Sequence, residues 1–152
     1  MKANSAKTRA GLMLAATIGA AVLGGCGGGG SAAAANSLPD GSYSGQSDPE
    51  GDGSYGVVSF TVSAGSISDA SFVMYDDDGT PHDEAYGLGS DGKPADEAFY
   101  QRAQNAIKAE QNYITQFEEV GDQNEVESIA GASLSYRVFL NAVAVAIDNG
   151  AK

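Results

Sequence analysis

The sequence predicts an α+β fold: a small antiparallel sheet early in the chain, with helices packed on one side of it, in a single compact domain. Three observations lead there. Two neighbouring segments alternate apolar and polar residues with a period of two. Two later segments repeat apolar residues at helical spacing. The segment holding all four, residues 38–150, is long enough for one core and too short for two domains.

The elements follow in order. Leu38-Pro-Asp-Gly-Ser-Tyr43 reads as a turn into a short strand, and Ser47 to Ser54 as a Gly/Asp/Pro loop. Tyr55 to Val62 reads as a strand with Val58, Phe60 and Val62 on one face. Ala64-Gly65 turns the chain into its hairpin partner, Ile67 to Tyr75. There Ala70, Phe72 and Met74 alternate with Ser71, Val73 and Tyr75, so one face of the pair should be covered. Asp76 to Glu84 is the most charged run. Its Asp-x-Asp-Gly lacks full EF-hand spacing and reads as a solvated loop, with His82 as a loop residue. Tyr86-Gly87 either brings an aromatic edge and bare backbone near a flat ring or makes a turn around a packed tyrosine.

Pro94-Ala-Asp-Glu97 starts a helix, with proline in the first turn and acids at the positive dipole end. Phe99, Ala103, Ala106 and Ile107 define its apolar face, and its aromatics read as core. Ile114 and Phe117 either prolong that face or belong to a second short helix. Gly121 to Glu125 ends it. Leu134 to Ile147 reads as the last helix, with Phe139, Val143 and Ile147 in line, Tyr136 and Leu140 beside them, and Asn149-Gly150 as its stop. Gly131 and Ala132 then stand at its entrance, with the hydroxyls of Ser133 and Ser135. A helix entrance made of small residues can receive a phosphate, because its first amides lack intrahelical acceptors and the dipole favours negative charge. On spacing alone the plainer reading is a serine N-cap with a glycine turn.

Glu127-x-x-Ala-Gly-Ala-Ser133, running into Leu-Ser-Tyr-x-x-Phe-x-x-Ala-Val, resembles the signature of the FMN-binding domain family over roughly residues 38–149. That family includes flavin-carrying subunits of the sodium-pumping NADH:quinone reductase and lipoproteins of extracellular electron transfer. Its motif is Asp-x-x-Ser/Thr-Gly-Ala-Thr. Here Glu127 stands for Asp, Ala130 for Ser/Thr and Ser133 for Thr. The resemblance implies FMN joined through its phosphate to Ser133, with Gly131, Ala132, Leu134, Ser135 and Glu127 as the surrounding cofactor site. It also implies maturation by an FAD-dependent FMN transferase, and electron transfer from a membrane donor to an extracellular acceptor. The alternative is a non-redox binding or structural lipoprotein on the same fold, with flavin attachment lost.

The start of the chain reads as an address. Lys2, Lys7 and Arg9 precede the apolar stretch Gly11 to Leu23, too short to span comfortably as a permanent helix. Leu23-Gly-Gly-Cys26 is similar to the bacterial lipobox, so residues 1–25 are expected to be a lipoprotein signal peptide and Cys26 the lipidated anchor. Cys26 is the only cysteine, which excludes an internal disulfide and a multi-cysteine zinc site. Residues 26–37 form a Gly/Ala/Ser tether that would reach roughly 20 Å and hold the domain at the extracytoplasmic face of the cell membrane. Cleavage after residue 25 removes three positive charges and no acid, moving the formal charge from -12 to -15. So acidic a chain is no nucleic-acid binder.

Little points to self-contained catalysis. One loop histidine cannot be set against Ser133 as a triad, and no phosphate loop or dinucleotide fingerprint is present. An electron carrier, in which the cofactor does the chemistry, suits the residues better than an enzyme.

Overall fold

The structure is a computed structural model and describes residues 33–152. The expected signal peptide, Cys26 and the tether up to residue 32 lie outside the described residues. Three antiparallel strands form one sheet in the order β1 (Gly41–Gln46), β2 (Tyr55–Ser63), β3 (Ser66–Tyr75). Two helices follow, α1 (Glu97–Val120) and α2 (Ser133–Asn149). α2 lies on β1 and β2, and α1 lies on β3. The architecture is α+β, as the alternation and helical spacing predict.

The hairpin turn takes positive φ at both Ala64 (50°) and Gly65 (76°), the geometry that matches strand twist in a two-residue loop. Tyr43, Val58, Phe60, Val62, Phe72 and Met74 are buried under the helices. Ile67 is buried too, although it is an odd number of residues from Phe72. A bulge explains this. Ser59 pairs with Ser71 but Thr61 pairs with Ser68, so Asp69 and Ala70 share one partner position. Asp69 absorbs the kink at φ 50°, and the extra residue returns Ile67 to the core face.

α1 is one continuous helix, which settles the alternative left open after Glu110. Asp96 caps it by accepting from the Phe99 amide, and Gly121 ends it in the left-handed conformation at φ 70°. Its buried stripe is Ile107, Ala109, Glu110, Tyr113 and Phe117. The expectation that its first-turn aromatic is core fails: Phe99 is 41% exposed. The sheet does not extend beneath the first turns of α1, where the loop after β3 faces the helix instead.

The buried face of α2 is also rotated from the expected one. Ser135, Val138, Phe139, Ala142, Val143 and Ala146 are buried, whereas Tyr136, Leu140 and Ile147 are only partly so. Gly45 of β1 is the cause. A Cβ there would lie 2.4 Å from the Ala142 carbonyl oxygen and 2.4 Å from the Ala146 nitrogen. Strand and helix backbones therefore meet directly, and only alanines fit at the seam. Phe60, Phe72, Phe117 and Phe139 fill the remaining core with edge-to-face contacts at 5.2–5.7 Å.

The last residues of the expected tether belong to the fold. Ala35 is fully buried, its amide donates to Gln123 Oε1, and the Asn36 amide donates to the Gly121 carbonyl. An alanine needs no large side chain to fill a small gap, and composition alone gives no sign of that gap.

Candidate functional site

The stretch leading into α2 is held from both helices. Tyr113 of α1 is fully buried; its hydroxyl donates to the Ala132 carbonyl at 3.1 Å and accepts from the Ile129 amide at 3.2 Å. Gln116, one turn later, accepts from the Glu127 amide at 2.7 Å. From α2, the Tyr136 hydroxyl donates to the Val126 carbonyl at 2.8 Å. Gly131 closes the turn at φ 87°, a conformation that favours glycine.

α2 then begins at Ser133 with no side-chain cap from Ala132. The first helical bond within α2 runs from the Tyr136 amide to the Ala132 carbonyl. The amides of Ser133, Leu134 and Ser135 thus lack intrahelical acceptors, and the Ser133 side chain is exposed. The plainer reading, a serine N-cap, does not hold: Ser133 is inside the helix, and Ser135 is buried and turned to Glu110.

Beside this entrance lies a cavity of about 270 Å³. One side is the stripe Phe99, Arg102, Ala103, Ala106 and Glu110 of α1; another is Gly131, Ala132, Leu134 and Ser135; Met74, His82 and Tyr86 complete it. A neighbouring cavity of about 270 Å³, lined by Arg102, Asn105, Ala130, Gly131 and Ala132, adjoins it at the turn. Among the described residues three large apolar side chains are markedly exposed, and two of them, Phe99 (41%) and Leu134 (40%), line the first of these cavities. Of the two readings of Tyr86-Gly87, the packed tyrosine is the one seen. Tyr86 packs flat on His82 with ring centroids 3.8 Å apart, and that pair forms the cavity wall. Asp76 fixes both rings, bonded to His82 Nε2 and to the Tyr86 hydroxyl at 3.0 Å each. Burial and the bond to Asp76 raise the Tyr86 hydroxyl to about 12, so it stays protonated as a donor.

Of the expected site residues, the fold brings Gly131, Ala132, Leu134 and Ser135 to the cavity and puts Ser133 among them on the exposed first turn. It does not bring Glu127 there: its backbone is clamped by Gln116 and its side chain is exposed. Sequence reasoning missed Phe99, Arg102 and Glu110. Their positions did carry a signal, since Arg102 and Glu110 interrupt an otherwise small and apolar stripe at helical spacing. Glu110 is the only buried charged side chain among the described residues; burial pushes its carboxyl up to about 7, against a smaller lowering by the Ser135 hydroxyl. Arg102 has no acid within salt-bridge distance among the described residues.

These residues fit a flavin phosphate and ring. Arg102, Gly131 and Ala132 line both cavities, the exposed first turn of α2 follows directly, and aromatic and aliphatic surface lines the rest. The comparisons agree. No curated protein matches the chain. A crystal structure of the CPE2226 protein from Clostridium perfringens is similar in fold, with a TM-score of 0.57 and 17% identity, over 74% of this chain and 88% of that one. The model of the FMN-binding domain matches residues 52–148, which include the sheet hairpin, both helices and the turn at Gly131. The chain therefore belongs to the FMN-binding domain family, and its cofactor is FMN.

Proposed function

We propose that this chain is a bacterial surface lipoprotein that carries FMN as a phosphoester on Ser133 and passes electrons outside the cytoplasm. The observation that carries the reading is the exposed Ser133 hydroxyl at an uncapped helix start, beside a cavity walled by exposed Phe99 and Leu134. The amides of the first turn of α2 and Arg102 would hold the phosphate. Phe99, Leu134 and the Tyr86–His82 pair would cover the ring and keep water from it. FMN supplies one- and two-electron chemistry when bound; the protein sets its orientation and potential. A covalent bond suits a site outside the cell, where a dissociated cofactor is lost by dilution.

Maturation is assigned to an FAD-dependent FMN transferase, with Ser133 as acceptor and not as a nucleophile in turnover. Donor and acceptor are a membrane carrier and an extracellular oxidant. The lipid on Cys26 would keep the domain at the membrane.

The test is intact mass under denaturing conditions after co-expression with such a transferase. One added FMN-phosphoryl group, mapped to the peptide containing Ser133 and absent from Ser133→Ala, is the expected result. Glu127 outside the cavity and Ala130 in place of a hydroxyl favour the competing reading, a binding lipoprotein that has lost attachment. An unmodified mass beside a modified control domain would establish that reading instead.

A further inference from the structure

Glu110 stands apart from every other acid in the described chain. It is 3% exposed, on α1, at the wall of the cavity that Phe99 and Leu134 line. No cation lies within salt-bridge distance of it among the described residues. Its carboxyl makes one side-chain bond, accepting at Oε1 from the Ser135 hydroxyl at 2.8 Å. No fully buried side-chain oxygen lacks a partner among the described residues, so the other carboxylate oxygen is not sealed from solvent; besides the cavity at the α2 entrance, Glu110 lines a smaller one of about 210 Å³ with Phe72, Val73 and His82. Burying an unpaired acid costs free energy, and a purely structural α1–α2 tie could use a neutral side chain instead.

We propose that Glu110, oriented by Ser135, is the group that exchanges a proton with solvent as the flavin beside it changes redox state. The proposal rests on the reading that this cavity holds the FMN ring. When electrons from a reductant add negative charge next to it, the Glu110 carboxylate takes one proton from water and an O–H bond forms. When an oxidant removes the electrons, that O–H breaks and the proton returns to water. Each proton bound offsets the charge of one electron delivered. A carboxyl held near neutrality by burial is suited to this exchange, whereas an ordinary exposed acid stays ionised throughout. The groups facing Glu110 are few. α2 presents Ser135, and β3 presents only Phe72, Val73 and Met74. The loop after β3 presents His82, Asp83, Glu84 and Tyr86; α1 itself adds Arg102. His82 and Arg102 line the same space without pairing with Glu110.

The experiment uses the full chain, flavinylated by the transferase and solubilised in detergent. Flavin content is counted first under denaturing conditions. The midpoint potential is then followed from pH 5 to pH 9 with dithionite and mediator dyes. The wild type is expected to show an inflection in the neutral range. Glu110→Gln, which can still accept from Ser135, should lose it when the flavinylated fractions of the two proteins are compared at equal flavin content. Ser135→Ala, which removes the bond that favours the ionised carboxyl, should move it to higher pH. In the flavin-free chain, carbon-detected NMR should show one glutamate titrating near neutrality, absent from Glu110→Gln. Equal flavin content with superimposable potential profiles in wild type and Glu110→Gln overturns the proposal alone. Wild-type protein without covalent flavin overturns the reading beneath it.

Discussion

At the residue scale, the candidate site depends on side chains that never touch its surface. Tyr113 is buried and bonded to both sides of the turn that presents Ser133. Tyr113→Phe leaves the Ile129 amide without its acceptor, which should cost about 1–3 kcal/mol and lower Tm. Flavin loading of that variant should fall as well, read by covalent fluorescence per folded protein. Glu110 makes a pH-dependent prediction. Its carboxyl is raised from 4.5 to about 7 in the fold, so between those values the folded state binds more protons than the unfolded one. Stability from this group therefore falls as pH rises through that window. Above it the fold carries the full cost of a buried charge, up to about 3 kcal/mol. Flavin-free Glu110→Gln should melt above the wild type at pH 8, and the gap should close toward pH 4.5. Melting curves at both values decide it; a variant less stable at pH 8 contradicts the prediction.

At the element scale, the seat of α2 sets where its first turn points. Gly45 lets the helix backbone rest on β1, with the Ala142 oxygen and Ala146 nitrogen where a Cβ would be. Gly45→Ala must lift or slide α2, at a cost of about 3 kcal/mol or more. It should depress Tm more strongly than Gly51→Ala, a loop site with open space around it. α1 supplies the opposite wall through its first turns, which Asp96 caps at the Phe99 amide. Removing the cap should cost about 1 kcal/mol and fray the turn carrying Phe99 and Arg102. Hydrogen exchange in Asp96→Ala should therefore rise at residues 97–102 while the core around Phe117 stays protected.

At the scale of the whole molecule, the proposed lipid anchor on Cys26 makes a prediction. Cys26→Ser should leave the protein in the soluble extracytoplasmic fraction, with flavin loading intact; fractionation with mass analysis checks both. Among the described residues no helix is long and apolar enough to cross a membrane. The sequence by itself determined the strands, the hairpin turn, the start of α1, the last helix and the entrance at Gly131–Ser133, because period, turn chemistry and helix stops are local properties; that α1 runs unbroken past Glu110 it left open. Tertiary structure decided what those elements enclose. A bulge at Asp69 turned Ile67 inward, and a bare glycine rotated α2 toward its alanines. The loop after β3 stands against the first turns of α1, so Phe99 lines a cavity instead of the core. Glu110 shows the difference most plainly. On the sequence it is one of twenty acids. Only the packing of α2 against α1 takes water from its carboxyl and sets Ser135 beside it, and that desolvation is a property of no short segment.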